Sequence, residues 1–142
     1  MTLPRLTIDL DAVGEATRLL VADLQARRLT LVGVTKCVDG EPAVGQAMLE
    51  AGCAGLADSR LSSLVRLAQW GLGPRTLIRA PQPGELRTAA QVGDRVLLSD
   101  PGAARVLGEH APGAPVRILL TLDLGDRREG VLPDAATAVA AQ

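Results

Sequence analysis

Five near-continuous apolar runs of strand length, separated by helical patterns, constrain the fold of this 142-residue chain more than any other feature. They cover residues 29–35 (LTLVGVT), 55–57 (GLA), 75–80 (RTLIRA), 94–99 (DRVLLS) and 115–124 (PVRILLTLDL). Runs that stay apolar instead of alternating belong to strands buried on both faces, so the expectation is a parallel sheet. Residues 11–28 read as a helix that opens on Asp11 and closes on Arg27 and Arg28. Residues 41–52 place Pro42 just inside a helix start and Gly52 just past its end. Residues 59–73 put Leu61, Leu64, Val65 and Leu67 on one face, with Ser59 as N-cap. Shorter helices are expected over 83–92 and 101–110, and Pro133 and Asp134 open a sixth over 132–142. Such an α/β chain closes as an open doubly wound sheet or supplies about the first five units of an eight-unit barrel, which needs about 250 residues. Periodicity leaves both open.

Composition narrows the function. A formal net charge of −1 gives no basic field to gather phosphates, and Trp70 is the one aromatic residue able to stack on a base, so nucleic-acid binding is not expected. A polybasic membrane patch is missing, and no apolar stretch approaches the roughly 20 residues that span a bilayer. The opening MTLPRLTIDLDAV carries acids where a signal peptide needs an apolar core, so the cytosol is the expected location. Cys37 and Cys53 make neither a disulfide framework nor a close metal pair and read as packing residues. There is no Tyr and no Phe, and the single His, His110, falls in an expected surface loop. Lys36 is the only lysine among many arginines, and it stands where the first apolar run ends. An amine whose stem is buried by apolar neighbours loses its proton more easily, as imine chemistry requires; a solvated loop lysine is the other reading.

The strand-end GVTK, the segment ADSRL at 57–61 and the segment DLGDRREG at 123–130 together resemble the pyridoxal-phosphate-dependent alanine racemase-like barrel enzymes, nearest to their ornithine and amino-acid racemase branch. The resemblance runs from about Arg5 to Val131 and implies a (β/α)8 barrel of which the first five units are present. It implies that Lys36 carries pyridoxal 5'-phosphate as an internal aldimine and serves as acid/base on one face of an amino-acid substrate. The opposite face needs a second acid/base, a role that alanine racemase gives to a tyrosine supplied across a dimer and that no tyrosine of this chain can fill. Alignment through Asp123, Gly125 and Gly130 makes Arg128 the arginine that approaches the cofactor's phenolic oxygen and the substrate carboxylate, with Arg127 as its neighbour in register. Asp58 and Ser59 fall in a loop that orients Lys36 or the cofactor, or else cap the following helix. Arg79 points into the barrel mouth or sits at a surface edge. Cys37 alternates away from Lys36.

Gly40 departs from the alanine racemase pattern, which has a phosphate-contacting tyrosine four residues after the lysine. The resemblance also implies later strands, phosphate-binding loops and a second domain that residues 1–142 do not include. The expectation is therefore an N-terminal fragment of a racemase, inactive by itself, aggregation-prone at its open sheet edges, and completed as a homodimer or by a complementing C-terminal half. Two other readings share these residues: a pyridoxal-phosphate homeostasis barrel that carries the cofactor, and a non-catalytic remnant. The identity of the amino acid is not legible.

Overall fold

The computed structural model describes residues 5–111, 113, 115–127 and 129–141. Helix α1 (Leu10–Ala26) leads into five β/α repeats: β1 (Gly33–Val34), α2 (Pro42–Glu50), β2 (Leu56–Asp58), α3 (Leu61–Gln69), β3 (Arg75–Leu77), α4 (Leu86–Val92), β4 (Arg95–Leu98), α5 (Pro101–Glu109) and β5 (Arg117–Leu120), with α6 (Ala136–Ala140) at the end. Four strands lie inside the apolar runs, and β2 overlaps its run but extends one residue past it to Asp58. Those four are shorter than their runs, β1 covering two residues only and having a partner on one side only. Its backbone nevertheless bonds to β2 and its approach from Leu31 to Thr35, through Ala54 N to Leu31 O, Gly33 N to Gly55 O and Thr35 N to Ala57 O.

All neighbouring strands are parallel and their order is β1-β2-β3-β4-β5. Right-handed crossovers between sequential neighbours place every connecting helix on the same side of the sheet, whereas a doubly wound sheet reverses order and covers both sides. The architecture is thus the barrel type, in five β/α units. The core lies between sheet and helices: Leu56, Leu77, Val96 and Leu98 from the strands meet Leu61, Leu64, Leu67, Leu86 and Leu107 from the helices. Each of these leucines contributes about 2–5 kcal/mol by the cost of truncating it. The opposite face carries the alternate residues Val34, Ala57, Thr76, Arg95 and Arg117, aligned by the register. The expectation of burial on both faces holds for β2, every residue of which is buried, and fails for β5, where Arg117, Ile118 and Leu119 are exposed. Arg117 and Leu119 lie on the face away from the helices, and Ile118, in register with Val96 on the helix side, is exposed because β5 is an end strand of the sheet.

Two helix starts differ from expectation. The cap of α1 is Asp9, whose carboxylate accepts from Ala12 N at 3.0 Å, and not Asp11, which lies in the first turn. The cap position of α3 is Arg60, not Ser59, and the carboxylate that serves it is that of Asp58, accepting from Arg60 N at 2.9 Å. Helix α2 follows the expected pattern, with Glu41 as cap, Pro42 in the first turn and Gly52 beyond its end at φ +106°.

Candidate functional site at the strand ends

In a β/α repeat the strands' C-terminal ends converge on one rim, and there the chain concentrates its polar residues. Lys36 follows β1 after one residue, Thr35, and opens a short 3-10 turn, Lys36–Val38. It is exposed, and among the described residues it makes no hydrogen bond or ion pair. The desolvation expected of its stem is therefore not supplied by these residues. The 3-10 turn ends the strand's alternation before Lys36, which lines a cleft together with Leu10 of α1 and Ala43 and Val44 of α2. This open cleft of about 540 Å³ is bordered also by Cys37, Asp39, Glu41 and Arg60. Cys37 is exposed and Cys53 is buried, and both are free thiols. Burial pushes the Cys53 thiol up from its ordinary value.

The residue before the lysine anchors the turn. Thr35 is fully buried and spends all its polar groups. Its N–H donates to Ala57 O, and its carbonyl accepts from Val38 N at 3.0 Å and Gly40 N at 3.2 Å. Its hydroxyl donates to Asp58 Oδ2 at 2.9 Å. Asp58 is equally buried, on the helix side with Leu56, and its other oxygen accepts from Arg60 N. No cation among the described residues pairs with it. Gly40 closes the turn at φ +66°, where a Cβ would stand 2.6 Å from Ser63 Cβ and 2.9 Å from Ser63 Cα. The place that alanine racemase gives to a tyrosine is thus packed against α3.

A second cluster braces the same rim. Arg79 Nε donates to Ser59 O at 2.6 Å, and its two terminal nitrogens pair with Glu85, each at 2.7 Å. Arg79 Nη1 also donates to Ala80 O, and Glu85 accepts from Gln82 N at 2.8 Å. The bidentate pair with Arg79, joined by the Gln82 amide, holds the Glu85 carboxyl down to about 2. The same pairing raises Arg79. At the outer side of the rim Asp39 accepts from Arg60 at 2.7 Å and from Arg66, and hydrogen bonding from Arg60 above all keeps its carboxyl below the usual range. After β5, Asp123 Oδ1 accepts from Gly125 N at 2.8 Å and Arg127 N at 3.2 Å, which lowers its carboxyl and folds the loop. Glu129 on that loop accepts from Ala80 N at 3.5 Å.

The structure places Asp58, Ser59 and Arg79 beside the turn that bears Lys36: Asp58 bonds to Thr35 and to Arg60 N, and Arg79 bonds to the Ser59 carbonyl and to Glu85. Arg128 lies outside the described residues. His110 caps the C-terminus of α5, at the end of the sheet away from Lys36. Sequence reasoning missed Thr35 and Glu85. The signals were there: Thr35 is a hydroxyl at the end of an apolar run, and QPGE at 82–85 puts a glutamate three residues after a helix-start position, where its carboxylate takes the Gln82 amide. The chemistry of the donor set fits a carbonyl cofactor through one group, the free amine of Lys36. The described residues offer it no phosphate cradle.

Fold and site define a barrel-type α/β domain with a lysine, unengaged among the described residues, on the rim of strand C-terminal ends. The sequence model of the alanine racemase N-terminal domain matches residues 8–142, and the chain belongs to that family. It is 34% identical over 145 residues to a lysine racemase of Thermotoga maritima, covering all of this chain and 41% of the relative. Among solved structures it is similar to D-threonine aldolase from Filomicrobium marinum, at 22% identity and TM-score 0.79, covering 99% of this chain and 41% of that one. It is similar also to alanine racemase of Clostridium difficile 630 in complex with cycloserine, at 16% identity and TM-score 0.79, covering 96% and 41%. The chain thus spans about two fifths of the length of these proteins. No helix among the described residues is long and apolar enough to cross a membrane.

Proposed function

We propose that this chain supplies the lysine-bearing part of a pyridoxal-phosphate-dependent amino-acid racemase, with Lys36 as the residue that holds the cofactor. The observation that carries the reading is the position of the chain's sole lysine, unengaged among the described residues at the C-terminal end of β1. When bound, pyridoxal phosphate supplies an electron sink that stabilises the electron pair left by breaking a Cα–H bond. Lys36 Nζ then removes or returns the proton on its own face of the substrate. The partner acid/base on the other face is not a tyrosine of this chain, and His110 stands at the wrong end of the sheet. Arg128 belongs to the proposal as the group that binds the substrate carboxylate, a role resting on the resemblance of the DLGDRREG segment. Asp58, Ser59 and Arg79 serve the cofactor site by holding the rim in shape. Likeness to a lysine racemase makes a diamino acid the first substrate to test. Turnover belongs to a completed barrel, in which further β/α units cover the open face and desolvate Lys36, within one polypeptide or through a complementing one or a dimer. A reducing cytosol suits the two unpaired thiols.

Incubation with pyridoxal phosphate, borohydride reduction and peptide mass spectrometry test the reading. A stoichiometric adduct at Lys36, lost in Lys36→Ala, is the expected outcome. Labelling of Lys36 no faster than in a urea-denatured control sinks it.

A further inference from the structure

We propose that Thr35, Asp58, Arg79 and Glu85 form a chain of positioning residues that fixes the direction of Lys36; the inference rests on the reading of Lys36 as the cofactor-bearing amine. A fully buried carboxylate with no cationic partner among the described residues is costly, and an apolar residue at that place would serve packing better. What Asp58 does instead is take the hydroxyl of the residue that immediately precedes Lys36. Thr35 is thereby locked to β2 by its N–H and its hydroxyl, while its carbonyl holds the amides of Val38 and Gly40 and so sets the turn that Lys36 begins. Asp58 in turn is held at its own loop: the next carbonyl, that of Ser59, receives Arg79 Nε, and Arg79 is fixed by two 2.7 Å bonds to Glu85 at the head of α4. Three strand ends are tied by side chains at the level where β1 has lost its ladder. β1 pairs with one strand only, so without these ties its last residues have one line of backbone bonds to define them.

The chain carries a single lysine, so its amines are Lys36 and the α-amino group, and the ratio of reduced pyridoxyl adduct at the two measures positioning against an internal control. Thr35→Val keeps the volume and removes the hydroxyl; Thr35→Ser keeps the hydroxyl. The ratio is expected to fall about five- to tenfold in Thr35→Val and to return to within about twofold in Thr35→Ser, together with the induced circular dichroism of the bound chromophore. Hydrogen exchange at Val38 and Gly40 is expected to quicken about tenfold in Thr35→Val, while the helix α4 amides stay protected. An unchanged ratio in Thr35→Val, or no return in Thr35→Ser, overturns the proposal. Should Thr35→Val fail to fold, Glu85→Gln takes its place, and an unaltered ratio there counts against the proposal in the same way. If the unsubstituted chain labels Lys36 no better than its denatured form, the cofactor reading has failed. Exchange at Val38 and Gly40 then decides, and equal rates in Thr35→Val and the unsubstituted chain overturn the positioning role.

Discussion

At the scale of single residues, the rim is built from charges that face one another. Glu85 is the clearest case. Its carboxyl is held at about 2 against an ordinary value of 4.5, chiefly by the two bonds to Arg79. Because the folded value lies below the unfolded one, Glu85 contributes stability at all pH above about 4.5 and loses it as pH falls towards 2. The pair is about one-third exposed, so solvent screening reduces the contribution to about 1 kcal/mol. Glu85→Gln is expected to lower unfolding free energy by that amount at pH 7, and the two proteins should converge as pH approaches 2. Denaturant unfolding across that range checks it, and a pH-independent difference argues against the ion pair as its source. Lys36 is the opposite kind of residue, a cation placed where the described residues leave it without a partner. That contrast was half legible beforehand: the lysine's isolation is a property of the composition, whereas the partner of Arg79 depends on where the chain turns after β3.

At the scale of elements, the site depends on how closely the turn after β1 packs on α3. Gly40 has a positive φ and no space for a methyl group, since the contact is with the Cα and Cβ of Ser63 on a buried helix face. Gly40→Ala therefore combines left-handed backbone strain with overpacking, for an expected loss of about 2–4 kcal/mol. Equilibrium unfolding measures this, and a loss under about 0.5 kcal/mol means the turn relaxes freely and does not fix Lys36. The helix itself was readable, because Leu61, Leu64 and Leu67 recur at helical spacing and are all buried. Its start was misplaced by one residue. Ser59 lies one residue before the cap position, Arg60, whose amide is held by the buried Asp58 carboxylate, while the Ser59 carbonyl is bound to Arg79.

At the scale of the molecule, the sheet has one face covered by helices and one face bearing Val34, Arg95, Arg117 and Leu119. Arg95 and Arg117 are direct cross-strand neighbours on the latter, and neither has an ion-pair partner among the described residues. Like charges opposed across strands destabilise the pair, and Arg117→Glu converts the repulsion into attraction. A gain of about 0.5–1 kcal/mol at low salt, shrinking in 1 M salt, is the expected outcome of denaturant titration. A loss of stability would show that the two side chains do not face each other. The order of strands and helices, the lysine at the first strand's end and the likeness to the alanine racemase family were all determined by the sequence itself, because apolar periodicity and short motifs are local properties that need no partner to be read. Only the tertiary structure decided that one sheet face is left uncovered and that Thr35 meets Asp58. It alone decided that Arg79 turns to Glu85 and Ser59. These contacts follow from parallel register, Gly33 beside Leu56 and Leu56 beside Arg75, and register is set by the packing of helices against the whole sheet.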